Sequence, residues 1–336
     1  MPLQLLAISG RRVFRTTRHD ETSPWAPWQD LNIAVGPLAA PARVGCATVS
    51  GALHVCVLET NALRHTVETS PDAFTGWDAA HVAAFPGITM GQSVDCAGIG
   101  GQLHLCLDGF RISGDIMTFP SVLRSIRNAQ GAWSPPREVM QRSPVIRDIA
   151  CASRLAASGR QQLEVFARSQ VQTGAGASRT TIEALVHTTL LPTGAASRDV
   201  NMTPALPPAA ATANVPGVRS IAAAGIRAQL HVVLAQEGEL FHTVSGTGAS
   251  GAYGSVRTLV GDTSFGESPL TMPACANSGG NLHVCAVSGA RIVHTIRLAD
   301  GLWRNPESNA AGVWSDVTAA LGPLPGPIAD IACAGD

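Results

Sequence analysis

The sequence predicts an all-β chain: a six-bladed β-propeller with four-stranded blades, the first blade closed by the C-terminal strand. Three observations predict it. One stretch recurs, most cleanly as ACANSGGNLHVCAVSGARIVHT over Ala274–Thr295, and again at Gly45–Thr66, Asp95–Leu107 and Ala222–Thr243. Aligned on the first leucine of its second strand, the units fall at Leu3, Leu53, Leu103, Leu163, Leu230 and Leu282, in steps of 50, 50, 60, 67 and 52 residues with 57 more round to Leu3. The small-residue strand that should precede Leu3 stands at the other end, as Asp330–Asp336. Self-similarity at such a period marks a repeat array, and closure by the two termini marks a propeller. A β-sandwich gives no reason for six units in one frame, and a solenoid would show capping repeats in place of a permutation.

Each unit reads as short strands in order. A run of small residues ends in Cys-Ala, glycines make a tight turn, Leu-His-Val-Cys alternates with period two, and an apolar-His-Thr strand follows a second turn. Tryptophan marks the fourth strand: Trp28, Trp77, Trp133 and Trp314 lie 18 or 19 residues before Cys46, Cys96, Cys151 and Cys333, which puts them at one repeat position as packing residues. Trp25, Trp303 and the single Tyr253 fall outside that frame and are therefore available to a ligand. The expected blades lie near residues 1–42 with 328–336, 43–92, 93–145, 146–216, 217–270 and 271–327, all in one domain.

Four units keep 12 residues between the leucine and the third-strand His or Arg: Leu3 to Arg15, Leu53 to His65, Leu230 to His242 and Leu282 to His294. Leu103 to Arg124 is 21 and Leu163 to His187 is 24, so blades 3 and 4 carry insertions at Asp108–Phe119 and Ser169–Thr181. Those loops share a face with the interblade connections, including the Pro/Ala-rich Pro204–Pro216. Broken loop symmetry on one face is where a propeller builds an asymmetric site.

Composition narrows the function. Hydrophobic content of 45%, charge of 14%, 34 Gly and 22 Pro suit many short strands joined by turns. A net charge of −1 supplies no general field for nucleic acid or anionic lipid. No run approaches the ~20 apolar residues of a membrane span, and MPLQLLAISGRR lacks the basic start and cleavage pattern of a signal peptide. The expected location is cytoplasmic, or secreted without a recognisable leader. All 23 basic residues are Arg, as a GC-rich, bacterial coding bias would give. No phosphate loop, GxSxG, HExxH, EF-hand or zinc spacing is present, so neither a cofactor nor a metal is expected.

Cys46/Cys56, Cys96/Cys106 and Cys275/Cys285 each stand ten residues apart across a hairpin, which invites disulfides. Yet Phe166, Leu6 and Val233 occupy the same place as Cys56, so free, buried cysteines used as small hydrophobes are expected. Two polar series repeat: His54, His104, His231 and His283 in the second strand, and His65, His187, His242 and His294 in the third, with Arg15 and Arg124 replacing the last set in blades 1 and 3. Half-buried residues tying blade to blade are one reading. The other is interblade pockets where His or Arg, a neighbouring Arg127 or Arg297 and an aromatic receive a sugar. Arg43, Arg147, Asp148, Arg219 and Asp330, at the starts of the inner strands, are expected at the channel mouth.

With six blades, a closing terminal strand, and third-strand His/Arg followed by Trp, the chain resembles the propeller lectins of fungi and bacteria that bind fucose and related sugars between blades. That resemblance implies sites built from an Arg, an acidic residue and a Trp or Tyr, best matched by Arg297 with Trp303 and Arg127 with Trp133. It makes His65, Trp77, Arg127, Trp133, His242, Tyr253, His294, Arg297 and Trp303 the candidate ligand-binding residues, with a glycan or another small polar ligand as partner. Two alternatives stay open. One is an enzyme, a lyase, hydrolase or cyclase, with a single asymmetric site at the channel mouth; the other is a protein-interaction platform.

Overall fold

Six small antiparallel sheets stand in a ring in the computed structural model, each with its innermost strand on a common axis. The structure describes residues 2–60, 62–110, 112–113, 116–117, 121–141, 145–173, 180–190, 200–201, 220–236, 238–245, 257–258, 268–306 and 313–335. Blade 1 orders Ile328–Ala334, Leu3–Ser9, Arg12–Arg18 and Gln29–Asp30, so the expected closing strand is innermost. Blade 2 follows with Pro41–Val49, Ala52–Glu59, Ala62–Ser70 and Ala73–Phe74. Blade 3 runs Thr89–Ile99, Gln102–Phe110, Ser121–Arg127 and Arg137–Gln141, and blade 4 Val145–Leu155, Gln161–Thr173, Thr180–Leu190 and Val200–Asn201. Blade 5 comprises Ser220–Ile226, Gln229–Gln236, Glu239–Ser245 and Arg257–Thr258. In blade 6, Leu270–Ser278, Asn281–Ser288 and Arg291–Arg297 are edged by two short pieces, Trp303–Arg304 and Ser315–Asp316, both paired to the third strand.

The two insertions differ in kind. In blade 3 a short ribbon, Ile112–Ser113 against Ile116–Met117, grows between the second and third strands. In blade 4 those two strands themselves lengthen and stay paired from Leu163↔Leu190 out to Thr173↔Thr180.

Register explains why the cross-hairpin cysteines remain free. Cys46 pairs with Val55 and Cys56 with Gly45, and the same one-residue offset holds for Cys96/Cys106 and Cys275/Cys285. Neighbouring positions on a strand face opposite sides, so the two thiols of a hairpin point into different interblade cores. Each instead meets the next blade. Cys56 shares a core with Cys96, Cys106 with Cys151, and Cys285 with Cys333, while Leu6 with Cys46, Val233 with Cys275 and Phe166 with Ala223 fill the other three interfaces. The largest side chain faces the smallest, as constant volume at one position demands.

The repeated His-Thr has a local purpose at its second residue. The hydroxyls of Thr16, Thr66, Ser125 and Thr295 donate to the outer-segment carbonyls of Ala26, Thr75, Ser134 and Arg304. They fasten a fourth strand that is often only two residues long.

At the axis, carboxylates link blade to blade. Asp330 accepts the Val44 amide of blade 2 at 2.8 Å, Asp95 the Cys151 amide of blade 4 at 2.8 Å, and Asp148 the Ile221 amide of blade 5 at 2.9 Å. Close backbone approach adds to this. A Cβ on Gly98 would lie 2.2 Å from the Thr48 oxygen, on Gly225 1.8 Å from that of Ser153, and on Gly335 1.8 Å from that of Asn277. Those six residues share one repeat position, so glycine alternates with a polar residue round the ring.

Candidate functional site

The histidine series lies inside the interfaces. Nδ1 of His54, His231 and His283 meets Nε2 of His65, His242 and His294 at 3.1, 3.0 and 3.1 Å. A tryptophan from the next blade stands edge-on to the second ring: Trp133 to His65, Trp303 to His242 and Trp25 to His294, with centroids 5.5, 5.3 and 5.2 Å apart. Burial, with neighbouring histidine and arginine charge, lowers His54 and His242 to about 3 and holds His294 well below its ordinary value, while burial and a nearby arginine lower His231 to about 4. His54, His231, His242 and His294 are therefore neutral at physiological pH and offer directed hydrogen bonds in place of charge.

The tryptophan frame read from sequence needs correction. Trp133 lies opposite Arg127 and Trp303 opposite Arg297, and Trp25 takes the same place beside Arg18. Trp28, Trp77 and Trp314 immediately precede Gln29, Asp78 and Ser315, the partners of third-strand Arg15, His65 and His294. Trp133 therefore groups with Trp25 and Trp303. The connector from outer strand to next blade varies in length, so counting back from the cysteine shifted blade 3 out of frame.

Two cavities lie between blades, on the face of the first-to-second and third-to-fourth strand turns. The one between blades 1 and 2, about 520 Å³, is walled by Gln4, Arg15, Thr17, His19, Glu68 and Asp72 among others. Arg15 organises it. Its guanidinium donates to Gln4 at 2.9 Å, Glu68 at 2.7 Å, Asp72 at 2.8 Å and Gln29 at 3.1 Å, and lies 5.4 Å over the Phe74 ring. The second, about 300 Å³ between blades 5 and 6, is walled by Arg227, Gln229, His231, Arg297 and Leu298 with smaller residues. By repeat position His231 corresponds to Gln4 and Arg297 to Glu68. At the interface of blades 6 and 1 the equivalent space is occupied: Arg18 donates to the carbonyls of Asp20 and Glu21, and the Glu21 carboxylate is held by Asn281 and Arg304.

The axial channel holds two further cavities. The same ring of Cys46, Cys96, Cys151, Ala223, Cys275 and Cys333 bounds both. The one at the mouth bearing the interblade connections, about 260 Å³, gathers Arg43, Asp95, Asp148 and Asp330. Burial raises Asp95 and Asp330 to about 7 and raises Asp148 as well, against the amide hydrogen bonds that each accepts.

These raised values predict a pH response. A carboxyl more basic in the folded state stabilises fully below its unfolded value near 3.8 and loses that contribution as pH rises through its folded value. Asparagine at 330 carries no such term. The stability gap between the native chain and Asp330→Asn is therefore expected to narrow as pH rises from about 4 to about 7 and to level off above it, as read from thermal midpoints at each pH.

Of the sequence candidates, Arg297 lines the blade 5–6 cavity; His65, His242 and His294 are buried in interfaces; Trp133 and Trp303 are half-buried beside them. Trp77 is also half-buried and donates to the Gly36 carbonyl at 2.9 Å. Arg127 lies against Gly131 of its own turn. Tyr253 and Arg219 lie outside the described residues. Sequence reasoning missed Arg15, Glu68 and Asp72 as a cluster, and it missed Asp95. The last had a signal: its repeat position is otherwise Gly45, Ala150, Ala222, Ala274 and Ala332.

No family model matches this chain, and no curated protein does. Among solved structures it is similar to AofleA from Arthrobotrys oligospora, at 10% identity over 99% of this chain and 88% of that one, with a TM-score of 0.53. What they share is the fold. A GH43_1 enzyme from Xanthomonas citri, solved with xylose, matches at 10% identity over 81% of this chain and 93% of that one, with a TM-score of 0.49. A xylan β-1,4-xylosidase from Bacillus halodurans matches at 9% identity over 79% of this chain, with a TM-score of 0.45; this chain spans about half of that protein, 54%. Among the described residues no helix is long and apolar enough to cross a membrane.

Proposed function

We propose that this propeller binds saccharides in pockets between its blades. The observation that supports this reading is recurrence: a polar cavity opens at the same repeat position at two interfaces, between blades 1 and 2 and between blades 5 and 6. A repeated site suits a multivalent binder, whose weak single contacts gain strength on a surface that presents many copies of the ligand. At about 520 Å³, the blade 1–2 cavity falls in the range of small-ligand sites. Its guanidinium, carboxylates, amide and hydroxyl supply donors and acceptors for adjacent sugar hydroxyls, and Ala26, Ala52 and Leu53 supply apolar wall. Among the described residues neither cavity is walled by Phe, Tyr or Trp, so contact rests on these groups and on the imidazoles of His19 and His231.

The test is titration of the full chain with methyl glycosides, methyl fucoside included, followed by NMR, alongside a glycan array. Saturable binding is expected, weakened about tenfold by Glu68→Ala, which removes a charged hydrogen-bond partner worth ~1.4 kcal/mol or more. Binding to no glycan, or binding indifferent to Glu68→Ala and Arg297→Gln alike, overturns the reading.

The channel mouth supports a second reading, acid–base catalysis on a saccharide, because three carboxyls of raised basicity converge in one concave site beside Arg43. Each already accepts an amide from the next blade, which gives it structural work. Turnover of aryl glycosides or polyuronates that is abolished by Asp95→Asn would favour this site over the interblade pockets.

A further inference from the structure

The two interblade cavities have opposite electrostatic character at the same place in the repeat. Between blades 1 and 2, Glu68 and Asp72 flank one guanidinium, leaving the walls with an excess of carboxylate. Between blades 5 and 6, Arg297 stands where Glu68 does and Arg227 joins it from the facing hairpin turn, with no acidic residue among the described residues of the wall. Arg227 takes a left-handed backbone, φ 55°, which a non-glycine residue adopts at a cost. His231 contributes a further group. It is 2% exposed, its Nδ1 is occupied by His242, and its Nε2 has no hydrogen-bond partner among the described residues. Buried polar atoms are nearly always paired, so an unpaired one in the wall of a cavity points to a ligand atom.

We propose that the blade 5–6 pocket takes an anionic saccharide, one whose carboxylate lies between the Arg227 and Arg297 guanidiniums with a ring or carboxylate oxygen on His231 Nε2. This deepens the saccharide reading and rests on it. Planar guanidinium matches carboxylate in a two-bond fork that an ammonium does not make. The neutral His231 ring donates from Nε2 when its Nδ1 accepts from His242, and that tautomer suits an oxygen ligand. With about 300 Å³, the pocket suits one sugar ring.

The test compares methyl β-glucuronide with methyl β-glucoside on the full chain by calorimetric or NMR titration. The glucuronide is expected to bind about tenfold tighter, an advantage lost in Arg297→Gln and in Arg227→Gln. His231→Gln installs the residue that the repeat carries at Gln4, so a correctly folded variant is expected, with weaker glucuronide binding. Glucoside binding equal to glucuronide binding overturns this inference and leaves the saccharide reading standing. Glucuronide binding displaced equally well by acetate and sulfate, with no glucoside bound, keeps the anion site and overturns the saccharide reading. If neither glycoside binds while another glycan does, this inference alone falls; binding to no glycan at all removes both.

Discussion

Glu164→Ala is expected to lower stability by about 3–5 kcal/mol, the cost of leaving buried charge without its partner. In blade 4 this glutamate stands at the second-strand position held elsewhere by histidine or Gln4, and it is fully buried. Its carboxylate accepts from His187 Nε2 at 2.7 Å, Thr189 at 2.6 Å, Arg154 at 2.7 Å and Gln162 at 2.7 Å. Burial alone would raise its basicity, but hydrogen bonds from His187 and Thr189 and the nearby charges hold it at about 2. Removal takes the carboxylate from the Arg154 guanidinium and from Nε2 of His187, whose ring is stacked 4.5 Å from Phe166. Denaturant unfolding measures the loss. Glu164→Gln, which keeps the shape and an acceptor oxygen, is expected to lie between alanine and the native chain, and an alanine variant as stable as the native chain would show the network to be dispensable.

Gly225→Ala is expected to cost about 3 kcal/mol or more, at the upper end for one added methyl in a packed site. Its Cβ would lie 1.8 Å from the Ser153 carbonyl oxygen, 2.7 Å from that carbonyl carbon and 3.1 Å from Arg154 Cα. All three are backbone atoms of the neighbouring inner strand, so no side-chain rotation relieves the clash and blades 4 and 5 must part. Gly159→Ala serves as the control, because a Cβ there meets nothing within 4 Å. It is expected to show only the smaller penalty of its φ of 74°. Thermal midpoints of the two variants separate steric contact at the axis from backbone conformation.

How far the sequence reveals the molecule depends on how often a feature repeats. Blade number, closure by residues 328–334 and the free state of the cysteines were legible because several copies constrain one position: a site that accepts Phe166, Leu6 and Val233 is a packing site. The histidine pairs were legible as a repeated polar position, but their burial was not, since whether an interface opens into a cavity depends on one turn. Between blades 6 and 1 the Asp20–Glu21 segment covers Arg18, whereas Leu298 and Ala299 leave Arg297 at a cavity wall. Glu68 and Arg297 share a repeat position but sit in different blades, so their opposition emerges only when the blades are superposed in space. The tryptophan frame failed for the related reason that outer-strand connectors carry no fixed length.

Closure of the ring has a kinetic side. Ser9 meets Gly326 across 317 residues, and Asp330 meets Val44 across 286. Contacts of such sequence separation form late, because loop-closure entropy must be spent before they return anything. Until they form, strand Leu3–Ser9 presents an open edge along residues that end up almost wholly buried. An edge of that kind is a template for pairing with another chain. The innermost strand of blade 1 thus acts as a latch: once it seats, Leu3–Ser9 is paired on both edges, and that strand is exposed again only when the contacts of longest sequence separation are undone.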